Sequence, residues 1–170
     1  PQSRSANVNQ YLRGGGTREF SGFISNSQSF ASQQYDQTLL VRTGPDSYEL
    51  TSRDGSKLVF GQPDGSAGTT RKIFLTQTID PFGNAVTLTY DGDSRITALT
   101  DAIGQVTSLS YGDTNDVYKI TRITDPFGRF ASFSYDSLGR LTNITDVIGL
   151  NSTFVYDGAG DFIKALVTPY

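Results

Sequence analysis

The sequence contains no cysteine, which excludes a disulfide framework, a thiolate nucleophile and any cysteine metal site. Histidine is missing too, and with it the side chain most used for zinc ligation and for proton transfer near neutral pH. Charged residues fill only 18% of the 170 positions, and the formal net charge is −3. The nearest approach to a basic run is the pair Arg71-Lys72, so the electrostatic footprint of a nucleic-acid binder is lacking. Apolar stretches such as Ile73-Phe74-Leu75 are far too short to span a bilayer. No starting methionine or signal sequence precedes Pro1, which reads as a processed, cloned or proteolysed end.

Ser, Thr, Gly, Asn and Gln occupy the positions that charge leaves free, while 36% of the residues are hydrophobic. That mixture suits a β-sheet with one packed face, one hydroxyl-rich face and many turns. The strongest pattern is a repeat. Asp-x-x-Gly recurs at Asp80 to Gly83, Asp101 to Gly104, Asp125 to Gly128 and Asp146 to Gly149, with spacings of 21, 24 and 21 residues. Seven residues after each glycine stands a tyrosine, namely Tyr90, Tyr111, Tyr135 and Tyr156. Asp91, Asp136 and Asp157 follow three of them, and a second turn, as at Asp136-Ser137-Leu138-Gly139, closes each cycle. Next comes a basic or polar residue and then an apolar one: Arg95-Ile96, Lys119-Ile120, Arg140-Leu141 and Asp161-Phe162. The extra residues of the longest repeat fall between Tyr111 and Lys119.

From glycine to tyrosine the period is two, as a half-buried strand requires. Leu88/Tyr90, Leu109/Tyr111, Phe133/Tyr135 and Phe154/Tyr156 share the predicted packed face, with Val86, Thr107, Ala131 and Ser152 in the same parity. In the return half, apolar residues are three apart, as in Leu141 and Ile144. Strict alternation cannot place both on one face, so a β-bulge is expected there. In the turns, aspartate accepts backbone N–H bonds, proline presets φ and glycine supplies φ > 0. The predicted fold is all-β, an antiparallel hairpin meander of tandem repeats of about 21 residues, forming a curled strip or part of a spiral shell. A four-strand-per-blade propeller is the architectural alternative.

Three segments are expected. Residues 1–37 are polar and weakly patterned, although Thr17-Arg18-Glu19-Phe20 has strand character. Residues 38–79 are degenerate hairpins with turns at Gly44-Pro45-Asp46-Ser47 and Arg53-Asp54-Gly55-Ser56. Residues 80–170 are the array, which stops where a fifth turn is due and so reads as a fragment of a longer shell. No linker separates domains, and one continuous sheet is expected, with two open edges that need a partner.

The cycle Gly-x6-Tyr-Asp-x-x-Gly-Arg-Leu-x-x-Ile-x-Asp, fullest from Gly128 through Asp146, resembles the Rhs/YD-repeat family. Arg13-Gly14-Gly15-Gly16, Tyr48-Glu49-Leu50-Thr51 and Asp54-Gly55-Ser56 are similar to the stretch that precedes such arrays in bacterial members. The resemblance implies a β-ribbon spiralling into a hollow shell that encloses a toxin or other cargo of the parent protein, secreted or at the bacterial cell surface. An adhesive module binding carbohydrate or protein is the alternative. Departures occur where Gly112 follows Tyr111 and where Asp161 stands in place of arginine. Self-cleaving members carry Asp-Pro-x-Gly-Leu after the array; here Asn84 and Arg129 follow the Asp-Pro-Phe-Gly glycines, and Asp146-Val147-Ile148-Gly149-Leu150 lacks the proline, so autoproteolysis is not implied.

Asp80, Asp101, Asp125 and Asp146 occupy one turn position repeatedly, which favours a structural role over catalysis or calcium binding. The tyrosines share a face with Leu88, Leu109, Phe133 and Phe154, so cross-strand packing is favoured over sugar stacking. The expectation is therefore a non-enzymatic structural segment with no cofactor or metal, no nucleic acid and no membrane insertion. Its partners are the remainder of the parent shell or another chain, met through open sheet edges, with glycans as a further ligand class.

Overall fold

A computed structural model of the chain describes residues 7–68 and 71–169. Among these residues there is no helix. The chain divides into two compact units, Pro1–Leu88 and Thr89–Tyr170. Twelve of the fourteen strands follow one another in sequence order within an antiparallel sheet, and the first two form a separate hairpin.

In the first unit, β1 (Val8–Tyr11) pairs with β2 (Thr17–Phe20) across a glycine-rich turn. The meander then runs through β3 (Leu39–Gly44), β4 (Ser47–Thr51), β5 (Lys57–Pro63), β6 (Ile73–Ile79) and the start of β7 (Ala85–Tyr90). Its turns fall at Gly44–Ser47 and Ser52–Ser56, where the sequence places them. Register puts Leu40 opposite Leu50 and Leu50 opposite Leu58, so the three share one face. An apolar sheet face must be covered by a second layer. The cover comes from the leading segment: Phe20 and Phe30 join Leu40 and Leu50 as the buried core, with Val8, Phe23, Tyr48, Leu58 and Phe60 packed against them. The described part of the leading segment, residues 7–37, which carries little periodic signal, thus supplies a hairpin and half of the buried core.

The same segment covers one sheet edge. Phe30 N–H donates to Leu40 O at 2.9 Å and Arg42 N–H to Gln28 O at 2.7 Å, flanking the bridge between Ser29 and Val41. The outer edge of β3 is therefore paired rather than open, a correction to the expectation of two open edges. The reason is that bare N–H and C=O groups invite strand addition unless a neighbour satisfies them.

The second unit continues with β8 (Ile96–Thr100), β9 (Val106–Tyr111), β10 (Ile120–Thr124), β11 (Phe130–Tyr135), β12 (Leu141–Thr145), β13 (Asn151–Tyr156) and β14 (Ile163–Val167). Each pairs antiparallel with the next. Seven consecutive strands without a break exclude four-stranded propeller blades, because the 21-residue hairpins pair with their neighbours as well as within themselves. The expected bulges are present. Register shifts occur between Ile120 and Arg122, between Leu141 and Asn143 opposite Tyr135 and Ser134, and between Ile163 and Ala165 opposite Tyr156 and Val155. The apolar spacing of three in the return strands is the cause: one extra residue restores a common face.

Candidate functional site: the repeat lock

The outgoing strands alternate as their period predicts. Leu109, Tyr111, Phe133, Tyr135, Phe154 and Tyr156 are half-buried, while Val106, Ser110, Phe130, Ser134 and Val155 face solvent. Val86 is an exception, being exposed despite its parity. Among the described residues all the buried side chains lie in the first unit, so the tyrosine face of the array is lined rather than sealed.

The tyrosines are held by the preceding repeat. Tyr111 donates its hydroxyl hydrogen to Ile96 O at 2.7 Å, Tyr135 to Ile120 O at 2.8 Å and Tyr156 to Leu141 O at 2.8 Å. In each case the acceptor is the first residue of the previous return strand. The residue before that acceptor is the basic one, and its cation lies over the same ring. Arg95 sits 4.9 Å from the Tyr111 centroid, Lys119 5.5 Å from Tyr135 and Arg140 4.4 Å from Tyr156. Tyr111, Tyr135 and Tyr156 are therefore each gripped at both ring face and hydroxyl by one neighbouring repeat. The hydrogen bond contributes about 1 kcal/mol and the cation–π contact about 0.5–1 kcal/mol.

The aspartates organise the turns. Asp125 Oδ1 accepts from Phe127 N–H and Arg129 N–H, both at 2.9 Å, while Gly128 N–H donates to Asp125 O at 3.1 Å. Asp80, Asp101 and Asp146 repeat this pattern, and Gly83, Gly104, Gly128 and Gly149 adopt φ of 90°, 86°, 80° and 87°. In the second turns, Asp91 and Asp136 do the same for the backbone and also bind the arginine four residues on. Arg95 Nε lies 2.8 Å from Asp91 Oδ2, and Arg140 Nε 2.7 Å from Asp136 Oδ2. Arg95 continues to Val117 O at 2.8 Å and Arg140 to Gly158 O at 3.0 Å. The sequence unit Tyr-Asp-x-x-Gly-Arg thereby becomes a clamp that joins one repeat to the next.

These contacts explain the proton affinities. The Asn84 side chain holds Asp80 below the usual carboxylate range, the Arg95 backbone N–H does so for Asp91, and the Arg140 side chain for Asp136. Burial opposes ionisation of Asp125, yet hydrogen bonds from Arg129 outweigh it and the net direction is down. Burial raises Tyr90, Tyr111 and Tyr135. Asp80, Asp91, Asp125 and Asp136 are thus ionised acceptors spent on their own turns, and the Tyr111 and Tyr135 phenols are neutral donors. Among the described residues no group of three acidic side chains is placed to hold a metal ion.

Two details lie outside what the repeat pattern conveys. Ser94 occupies the place of Gly139 in its turn and adopts φ of 62°, against 75° for Gly139. A side chain in this region costs about 1–2 kcal/mol, partly offset by its lower chain entropy. Ser94→Gly is expected to raise stability by about 0.5–1 kcal/mol in urea unfolding, and Gly139→Ser to lower it; a reversed pair of signs would refute the assignment. The other detail corrects the reading of Asp161 as the arginine position. Tyr156 pairs with Ile163 as Tyr135 pairs with Leu141. Asp157 N–H donates to Phe162 O, whereas Asp136 N–H donates to Arg140 O. The final turn is one residue longer, so Phe162 stands in the arginine's place and Ile163 in that of Leu141. A one-residue insertion inside a turn is invisible to fixed spacing. The insertion after Tyr111 builds turns of its own, with Asp113 Oδ1 accepting from Asn115 and Asp116 N–H and Asp116 Oδ1 from Tyr118 N–H.

Comparison with protein families finds the RHS repeat at residues 90–129, 119–147 and 135–161. These matches cover the clamps from Tyr90 through Asp161. A comparison with curated proteins finds no match.

Proposed function

We propose that this chain, whose residues 90–161 match the RHS repeat, belongs to the Rhs/YD-repeat family and is a wall segment enclosing a toxin or other cargo carried by its parent protein. The general character is that of a structural repeat protein. The observation that carries the finer reading is the clamp itself. In the repeats from Tyr111 to Tyr156 the tyrosine hydroxyl, the cation over its ring and the turn carboxylates are engaged with the chain's own backbone and side chains. Side chains used this way give mechanical continuity from hairpin to hairpin. A non-enzymatic role and a secreted or cell-surface location suit a containing wall. The wall extends by pairing sheet edges with further repeats of the parent.

The test is limited proteolysis of the natural full-length protein. Polypeptide carried outside the RHS array is expected to resist digestion when the array is intact, and to be cut when Tyr135→Ala and Tyr156→Ala loosen it. Equal digestion in both cases would sink the containment reading. Binding to a glycan array that is lost on replacing these tyrosines, with the fold retained, would replace it by adhesion.

A further inference from the structure

The first unit holds a cleft of about 1350 Å³ in which the repeat clamp takes no part. That volume has room for a small organic ligand and the water around it. Cross-strand register builds its floor: Arg42 lies opposite Tyr48, Tyr48 opposite Phe60 and Phe60 opposite Leu75. The row runs from a cation through two aromatic rings to an aliphatic side chain, on strands about 4.8 Å apart. β1 contributes a second wall. Its Val8 packs on the core, and alternation along the strand puts Gln10 on the same face. Gln10 Oε1 is buried there and accepts no hydrogen bond from any described residue. A buried acceptor without a donor is costly, and each instance calls for an explanation.

Charge in the cleft is of one sign. Its described lining includes Arg42, Arg71 and Lys72 but no carboxylate, in a chain of net charge −3. Arg71 is neutralised by Asp46. Arg42 donates to the carbonyls of Gly44 and Pro45, at 2.9 and 3.1 Å, and not to a carboxylate. The exposed Lys72 makes no side-chain ion pair among the described residues. Asp64, which accepts the Lys72 backbone N–H at 3.0 Å, is spent on its own turn through Ser66. We propose that this cleft binds a small amphiphilic anion, an apolar or aromatic body that carries a carboxylate with an N–H beside it. The apolar floor takes the body, Lys72 and Arg42 hold the carboxylate, and the N–H satisfies Gln10 Oε1. A plain apolar cover for the sheet would leave that acceptor unpaired and both cations uncompensated.

Dansylglycine is the probe, since it joins a naphthalene ring, a sulfonamide N–H and a carboxylate. Titrated into the 170-residue chain, it is expected to give saturable, blue-shifted fluorescence with one molecule bound per chain. Dansylamide, which is neutral, and dansylcadaverine, which is cationic, carry the same ring and are expected to bind about tenfold more weakly. Lys72→Glu, at an exposed position, is expected to weaken dansylglycine about tenfold and to leave dansylamide unchanged. Gln10→Leu is expected to weaken both several-fold without lowering the melting temperature, because it removes an unpaired acceptor. Amide NMR shifts on binding should concentrate on β1 and on β4 to β6. Failure of dansylglycine to saturate would overturn the proposal. So would equal affinity for the three probes, unchanged binding in Lys72→Glu or in Gln10→Leu, or shifts confined to the second unit.

Discussion

Phe20→Ala is expected to destabilise the first unit by about 3–5 kcal/mol, the largest loss expected from one side chain among the described residues. Phe20 is fully buried, at 0% exposure, and it meets Phe30, Leu40 and Leu50, each only 3–4% exposed. These four are the buried core of the described residues. With so few members, a cavity at Phe20 removes contacts that no neighbour can replace, and partial collapse recovers little. Urea unfolding should report the loss, and amide exchange on β3 and β4 should accelerate, since their shared leucine face is what Phe20 covers. Tyr11→Ala, at a residue 73% exposed in the same hairpin, is the control and should stay within about 0.5 kcal/mol. A Phe20→Ala chain within 1 kcal/mol of the wild type would mean that the leading hairpin does not cover the sheet.

Tyr135→Ala is expected to cost about 2–3 kcal/mol, less than a fully buried aromatic because the ring is half-exposed. Tyr135→Phe isolates the hydroxyl. It keeps the ring beneath Lys119 but removes the bond to Ile120 O, for a loss of about 1 kcal/mol. The cation is tested one repeat on, where Arg140 and Tyr156 meet at 4.4 Å. A double-mutant cycle with Arg140→Ala and Tyr156→Leu should return a coupling of about 0.5–1 kcal/mol. If Tyr135→Phe proved neutral and the cycle returned zero, the tyrosines would be simple fillers of a sheet face, and the repeat-to-repeat clamp would lose its energetic basis.

The array was the legible part because its constraints are local. Aspartate and glycine at a fixed separation report a turn, since one must accept backbone N–H groups and the other must tolerate positive φ. Alternation from Ala85 to Tyr90 or from Phe130 to Tyr135 reports a strand and its face. The apolar pair Leu141 and Ile144 even betrays the bulge. The leading segment was illegible for the converse reason. Phe20 and Phe30 are buried against Leu40 and Leu50 on strands that follow them in sequence, and no periodicity records such a contact. Phe162 was misplaced by one because turn length varies without a compositional mark. The partner of each tyrosine hydroxyl was also hidden, as a carbonyl acceptor has no sequence identity.

By itself, then, the sequence determined the all-β class, the repeat frame, the turn chemistry and the side of the ribbon on which each tyrosine lies. These follow from φ preferences and from the period of the strand, which act over a few residues. Tertiary structure alone decided which edge is covered, where the buried core sits, and that arginine and tyrosine of successive repeats close on one another. Those outcomes depend on residues distant in sequence meeting in space, where burial and hydrogen-bond satisfaction select the partners.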